Sequence, residues 1–270
     1  MFSPGADVVA SAAVAGLPWD GNLLRAIAAS ICLYAAGMVW NDIADRHLDS
    51  KQRRERPLVR GDLTVRFAVG LGLVLLASGL ALSPCRAHHG LIAVLVLAYD
   101  FGGKIVPWLG TLGMGLLRAL NLGTALAMPA SIAPEPARLV LIAAVAYGAY
   151  IVAVTVLGIF EDETRVPGRA VAAVQTAPPI AALCGIYAVQ GGLWPAPAIA
   201  AVPILWFLRR NSIVKNWDQP AIRRSMLFLL LGTMLYTGLL ALAAGRAVEA
   251  IAILAAIVPA RWIARSIALT

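Results

Sequence analysis

The stretch Asn41-Asp42-Ile43-Ala44-Asp45-Arg46-His47-Leu48-Asp49 closes a long apolar run, near 22–43, and opens a basic loop. On a helix, Asp42, Asp45 and Asp49 stand at i, i+3 and i+7 and share one face. Three carboxylates crowded at a membrane boundary repel one another and are costly if left unpaired. A divalent cation relieves both penalties. Hard oxygen ligands with room for water suit Mg²⁺, which usually holds a substrate phosphate as well. The plainer alternative is a solvated helix end that merely stops the span. Surface ends seldom set every carboxylate on one stripe.

The rest of the chain supplies the apolar setting. It is 60% hydrophobic and 13% charged, with a mean hydropathy of +0.81. That excludes an ordinary soluble domain and predicts an all-α, polytopic membrane bundle. Apolar runs predict helices near 5–17, 22–43, 63–82, 88–101, 109–128, 138–160, 170–190, 193–208, 224–243 and 247–266, nine to ten of them spanning. The first, from Pro4 to Leu17, covers only about 20 Å. No basic segment precedes it, which argues against a signal peptide, and it reads as a first span that lost its beginning. Cys32, Cys85 and Cys184 lie far apart and form neither a zinc nor a disulfide framework. With no internal repeat or low-complexity linker, residues 1–270 are expected to form a single domain.

Positive charge orients the bundle. Of the 22 Lys and Arg, Arg25, Arg86, Arg138 and Arg246 fall on one side and Arg118 falls inside a span. The remaining 17 fall on the other side, together with the acidic stretch. This asymmetry places the acidic stretch in the cytoplasm and the protein in the cell inner membrane as a multi-pass chain. The net charge of +8 follows from topology and attraction to anionic lipid, so the bilayer is the expected partner. Nucleic acid is not, because the basic loop at 51–60 has no interleaved aromatics on which bases stack. Trp40 reads as an interface anchor. His88 and His89 fall on the outer side, where exposed loop histidines are expected rather than a metal pair.

After Asp49 the chain runs Ser50-Lys51-Gln52-Arg53-Arg54-Glu55-Arg56-Pro57-Leu58-Val59-Arg60-Gly61. Pro57 is expected to end any helix, and Gly61 permits a turn. Arg53 and Arg56 can give charge-assisted hydrogen bonds to a diphosphate; ordinary positive-inside bias explains them equally well. The pattern N-D-x-x-D-x-x-x-D, a basic stretch and R-P-L-x-x-G resembles the first signature of the UbiA-type membrane prenyltransferases. The resemblance implies about nine transmembrane helices around a cavity, with an isoprenoid diphosphate joined to a usually aromatic acceptor. It also implies Mg²⁺ held by Asn41, Asp42, Asp45 and Asp49.

Other positions follow from the same resemblance. Tyr99 and Lys104, at the end of the 88–101 run, are similar to a Tyr and Lys that face the diphosphate in the family, although five residues separate them here instead of four. Asp100 and Lys104 stand at i, i+4 and can also simply pair. Arg118 lies about nine residues into a span, at a cost of about 2.5–3.5 kcal/mol on an insertion scale. Asn121 shares its face. Together they contact the acceptor or a phosphate, or they pair with a carboxylate on another helix. The run from Gly110 to Asn121 resembles a UbiA-like subgroup encoded in bacterial and cyanobacterial ebo gene clusters. At the end of the 138–160 run, where the family carries a second acidic motif, stand Glu161, Asp162 and Glu163. Consecutive residues fan about 100° apart, so all three cannot face one ion. Either Glu161 or Asp162 holds a second Mg²⁺ with more water, or Arg165 takes over part of that charge.

The expectation is therefore a prenyltransferase in which Lys104, Arg118 and Tyr99 act on the reacting group. Arg53, Arg56, Lys104 and Arg165 would bind diphosphate, and Arg118 and Asn121 the acceptor. A CDP-alcohol phosphotransferase would need a D-G-x-x-A-R pattern that this chain lacks. A transporter would need acids at helix midpoints. A divergent protein of the same fold that binds or transports a prenyl lipid without turnover remains the alternative.

Overall fold

A computed structural model describes residues 3–162, 167–214 and 217–259; the side chains of Gln52 and Asp162 lie outside that description. Every regular element among the described residues is helical: α1 (Ser3–Ala15), α2 (Gly21–Gln52), α3 (Pro57–Arg60), α4 (Val65–Leu82), α5 (Arg86–Phe101), α6 (Pro107–Leu122), α7 (Pro134–Asp162), α8 (Gly168–Gln190), α9 (Ala196–Ser212), α10 (Gln219–Ala243) and α11 (Ala247–Ala255). Short 3₁₀ turns at Gly103–Ile105 and Gly123–Ala127 flank α6. Five helices, α2, α4, α7, α8 and α10, are long and apolar enough to cross a membrane.

Helix α2 is the axis of the site. The Asp20 carboxylate caps it by accepting from Leu23 N at 2.8 Å, which satisfies one of the orphan donors of the first turn. From Gly21 to Trp40 the helix rises about 30 Å, the thickness of a hydrocarbon core. Asn41 onward therefore emerges where the apolar slab ends. The helix does not stop at 43 as expected but continues to Gln52. Ala44, Arg46, Leu48 and Lys51 are good helix formers, and no Gly or Pro intervenes. Pro57 likewise opens a helix rather than ending one. It is the first residue of α3, where its missing N–H costs nothing. Gly61 then closes that turn at φ 84°, a left-handed geometry that suits glycine.

Packing brings the other elements to this axis. Helix α4 lies along α2. Trp40, at the end of the apolar stretch, packs its ring over Gly72 of α4 and meets Phe101 of α5 edge-on at 6.0 Å. Helices α6 and α7 approach closely at Gly115, where an added Cβ would lie 2.8 Å from the Gly148 carbonyl oxygen. Helix α1 is almost wholly buried among α2, α6, α7 and α10. Tyr147, Tyr150 and Tyr236 stack behind it, and Tyr236 Oη donates to the Ala143 carbonyl.

Two other expectations change. The run near 109–128 is α6 followed by a 3₁₀ turn. His88 and His89 are not loop residues, because α5 already begins at Arg86. His89 is fully buried with Nδ1 2.6 Å from Ser83 Oγ, and His88 Nε2 lies 3.1 Å from the Leu120 carbonyl.

Candidate functional site

At 100° per residue, the polar side chains of the α2 end fall at 0° (Asn41), about 40° (Asp45), about 80° (Asp49) and about 100° (Asp42). The stripe is wide enough to serve two neighbours at once, and the structure divides it. On one edge, Asn41 Nδ2 donates to Asp45 Oδ2 at 3.0 Å. The Lys104 ammonium donates to Asn41 Oδ1 at 2.8 Å and pairs with Asp45 Oδ1 at 2.6 Å. On the other edge, Arg56 from the start of α3 pairs with Asp42 Oδ1 at 3.0 Å. Asp42, Asp49 and Arg56 line a groove whose walls include Val39, Leu58, Phe67 and Leu71. Asp49 is only 5% exposed there.

Lys104 reaches α2 because α5 ends first. Gly102 leaves helical geometry at φ −160°, ψ −46°, and the following 3₁₀ turn swings the ammonium across. The i, i+4 pairing of Asp100 with Lys104 is thereby lost. Gly110 of α6 makes room for the turn, since a Cβ there would sit 3.2 Å from the Lys104 Cα. Tyr99 stands half-buried on the same helix end. Asp100 is 4% exposed, and its Oδ2 is buried with no hydrogen-bond partner among the described residues.

Arg118 and Asn121 meet a carboxylate on another helix, the second of the two roles open to them from sequence. The Arg118 side chain is 11% exposed and pairs with Asp7 Oδ2 of α1 at 3.1 Å. It also donates to Ser3 Oγ and Tyr147 Oη, and lies 5.2 Å from the Tyr147 ring centroid. Asn121 donates to the same Asp7 oxygen at 2.8 Å and accepts from Ser30 Oγ at 2.5 Å. Asp7, fully buried, had escaped notice. The signal was present: an aspartate inside the apolar run 5–17 needs a partner at membrane depth.

The second acidic region lies at the end of α7. Glu161 accepts from Arg223 Nε of α10 at 2.8 Å. The Asp162 side chain and Arg165 lie outside the described residues. Arg53 is exposed, and its backbone N–H caps α2 by donating to the Asp49 carbonyl at 2.7 Å. Among the described residues, no three His, Cys, Asp or Glu side chains gather closely enough for a metal cage made of protein alone.

An all-helical bundle with long apolar helices, and with carboxylates countered by Lys and Arg at one end, is a multi-pass membrane protein. Residues 4–232 match the model of the UbiA prenyltransferase family, and the chain belongs to that family. A 4-hydroxybenzoate octaprenyltransferase of Chromohalobacter salexigens is 44% identical over 72 residues, which is 25% of this chain and 24% of that protein. The prenyltransferase adrG of Penicillium roqueforti is 35% identical over 86 residues, 29% and 27% of the two chains. The matched stretches thus span about a quarter of those relatives. In fold, a UbiA homologue from Aeropyrum pernix K1 superposes with a TM-score of 0.65 at 20% identity, covering 87% of this chain and 94% of that one. A digeranylgeranylglyceryl phosphate synthase does so with 0.64 at 16% identity, covering 90% and 92%.

Proposed function

We propose that this protein is a membrane prenyltransferase that moves an isoprenoid group from a prenyl diphosphate to a small, aromatic acceptor. The observation that carries the proposal is the pair of cations, Arg56 and Lys104, brought by two separate elements onto the carboxylates of α2. A diphosphate arriving there meets two positive side chains already in place.

Mg²⁺, implied by the family, fits this donor set. The ion is usually held by one or two carboxylates, waters and phosphate oxygens. Asn41 and Asp45 already turn two oxygens onto one cation, the Lys104 ammonium. Asp42 and Asp49 lie alongside. The bound ion would supply Lewis-acid charge to the departing diphosphate.

In this proposal Lys104 and Arg56 stabilise the charge that builds on the leaving group, where preorganised donors are worth most. Tyr99 Oη donates a hydrogen bond to the same oxygens, and Arg53 and Arg165 hold the outer phosphate. Glu161 or Asp162 holds a second ion. The apolar helices exclude water, which would otherwise quench the allylic cation before the acceptor attacks. Arg118 and Asn121, tied to Asp7, fix the wall against which the acceptor rests. The acidic stretch faces the cytoplasm of a bacterial inner membrane.

The Glu161–Arg223 pair favours one second reading. With that carboxylate engaged on α10, the protein would bind prenyl lipid without turnover. Incubating membranes with Mg²⁺, labelled prenyl diphosphates of several lengths and a cell extract distinguishes the two. A labelled, Mg²⁺-dependent lipid product identified by mass spectrometry supports the transferase. Binding of label without product supports the second reading.

A further inference from the structure

Asp100 has no structural occupation that explains it. It is 4% exposed, and one carboxylate oxygen is sealed off with no partner among the described residues. It sits in the last turn of α5, at the end of the helix dipole that disfavours negative charge. Lys104, Asp45 and Asp42 are the charged groups near enough to act on it electrostatically. Lys104, the cation among them, is engaged by Asn41 and Asp45. A buried carboxylate normally pairs, accepts several hydrogen bonds, or meets a metal. Asp100 does neither of the first two at Oδ2.

We propose that Asp100 is a cation ligand: with Asn41 and Asp45 it completes the place where the divalent ion binds, on the face of α2 turned toward α5. The Lys104 ammonium marks where positive charge is stable on that face. This gives the chain a carboxylate across from α2 that does not depend on the end of α7, where Glu161 is engaged by Arg223. The inference rests on the Mg²⁺ reading above.

The test uses the full-length protein in nanodiscs, with Mn²⁺ as the probe read by electron paramagnetic resonance and Mg²⁺ read by the shift in unfolding temperature. Wild type is expected to bind Mn²⁺ and to gain unfolding temperature with Mg²⁺. Asp100→Asn is expected to weaken Mn²⁺ binding by about tenfold or more and to lose most of the Mg²⁺-induced gain. In EDTA it should unfold no earlier than wild type, because an unpartnered buried charge has been removed. Asp100→Ser serves as a second variant with the same expectations. Glu135→Gln, at an exposed pair with Arg138, should change neither readout. Wild-type Mn²⁺ affinity in both Asp100 variants overturns the inference and leaves the Mg²⁺ reading standing. Absence of Mn²⁺ binding by wild type, even with inorganic diphosphate present, overturns both.

Discussion

Replacing Arg118 by Met separates a structural role from an acceptor-binding one. The substitution keeps much of the apolar stem and removes the guanidinium, leaving the fully buried Asp7 carboxylate without its cation and held by the Asn121 amide. Breaking a buried ion pair from one side costs about 3–5 kcal/mol, because the remaining charge stays desolvated. That corresponds to a factor of roughly 10² to 10⁴ in the folded population. Ser3 and Tyr147 lose a partner too, which places the expectation in the upper part of the range. Asp7→Leu alone should cost a similar amount. The double variant Asp7→Leu/Arg118→Met should cost less than the sum, by about 1–3 kcal/mol. The assay is equilibrium unfolding in mixed micelles, followed by tryptophan fluorescence. Should Arg118→Met unfold within about 1 kcal/mol of wild type while raising only the acceptor KM, the guanidinium serves substrate and the account of α1 is wrong.

Other expectations are briefer. Lys104→Met should raise the KM for prenyl diphosphate or lower kcat by about 10²-fold, the scale of one lost oxyanion donor; steady-state kinetics in proteoliposomes with unchanged KM and kcat would contradict it. Gly115→Ala should destabilise by about 1–3 kcal/mol by overpacking, since its Cβ would fall 2.8 Å from a backbone oxygen of α7; thermal unfolding within error of wild type would refute that packing. Glu161→Gln should alter unfolding by less than about 1 kcal/mol, because Arg223 is 64% exposed and the pair is screened; the same unfolding assay checks this.

The fold was legible because apolar runs of membrane length and the partition of Lys and Arg are strong signals. The far end of α2 was legible only in part: the aspartate spacing reads as helical to Asp49, whereas the hydropathy fall at Asn41 marks the end of the slab and not of the helix. Pro57 shows the same limit. A proline disfavours helix just before it and is well suited to the first turn after it, and only the surrounding turn decides. At the site, the aspartate stripe was readable from the 3.6-residue period, but its division between Lys104 and Arg56 was not. A spread of about 60° between the carboxylates on one helix lets either neighbour claim one, and which one does depends on where α3 and the 3₁₀ turn come to rest. Helical spacing allows Asp100 to pair with Lys104; Gly102 breaks the helix between them, and the spacing loses its meaning. Sequence spacing asks for a carboxylate on another helix as partner to Arg118, but only the packing of α1 against α6 identifies it as Asp7.

The most direct measurement is inorganic diphosphate release from labelled prenyl diphosphate and acceptor-containing extract by protein reconstituted in liposomes, with Mg²⁺ or EDTA. Wild type should release diphosphate only with Mg²⁺, and Asp42→Ala and Asp45→Ala should release essentially none while remaining folded. Undiminished release by either variant, or by wild type in EDTA, contradicts the assignment of the α2 carboxylates.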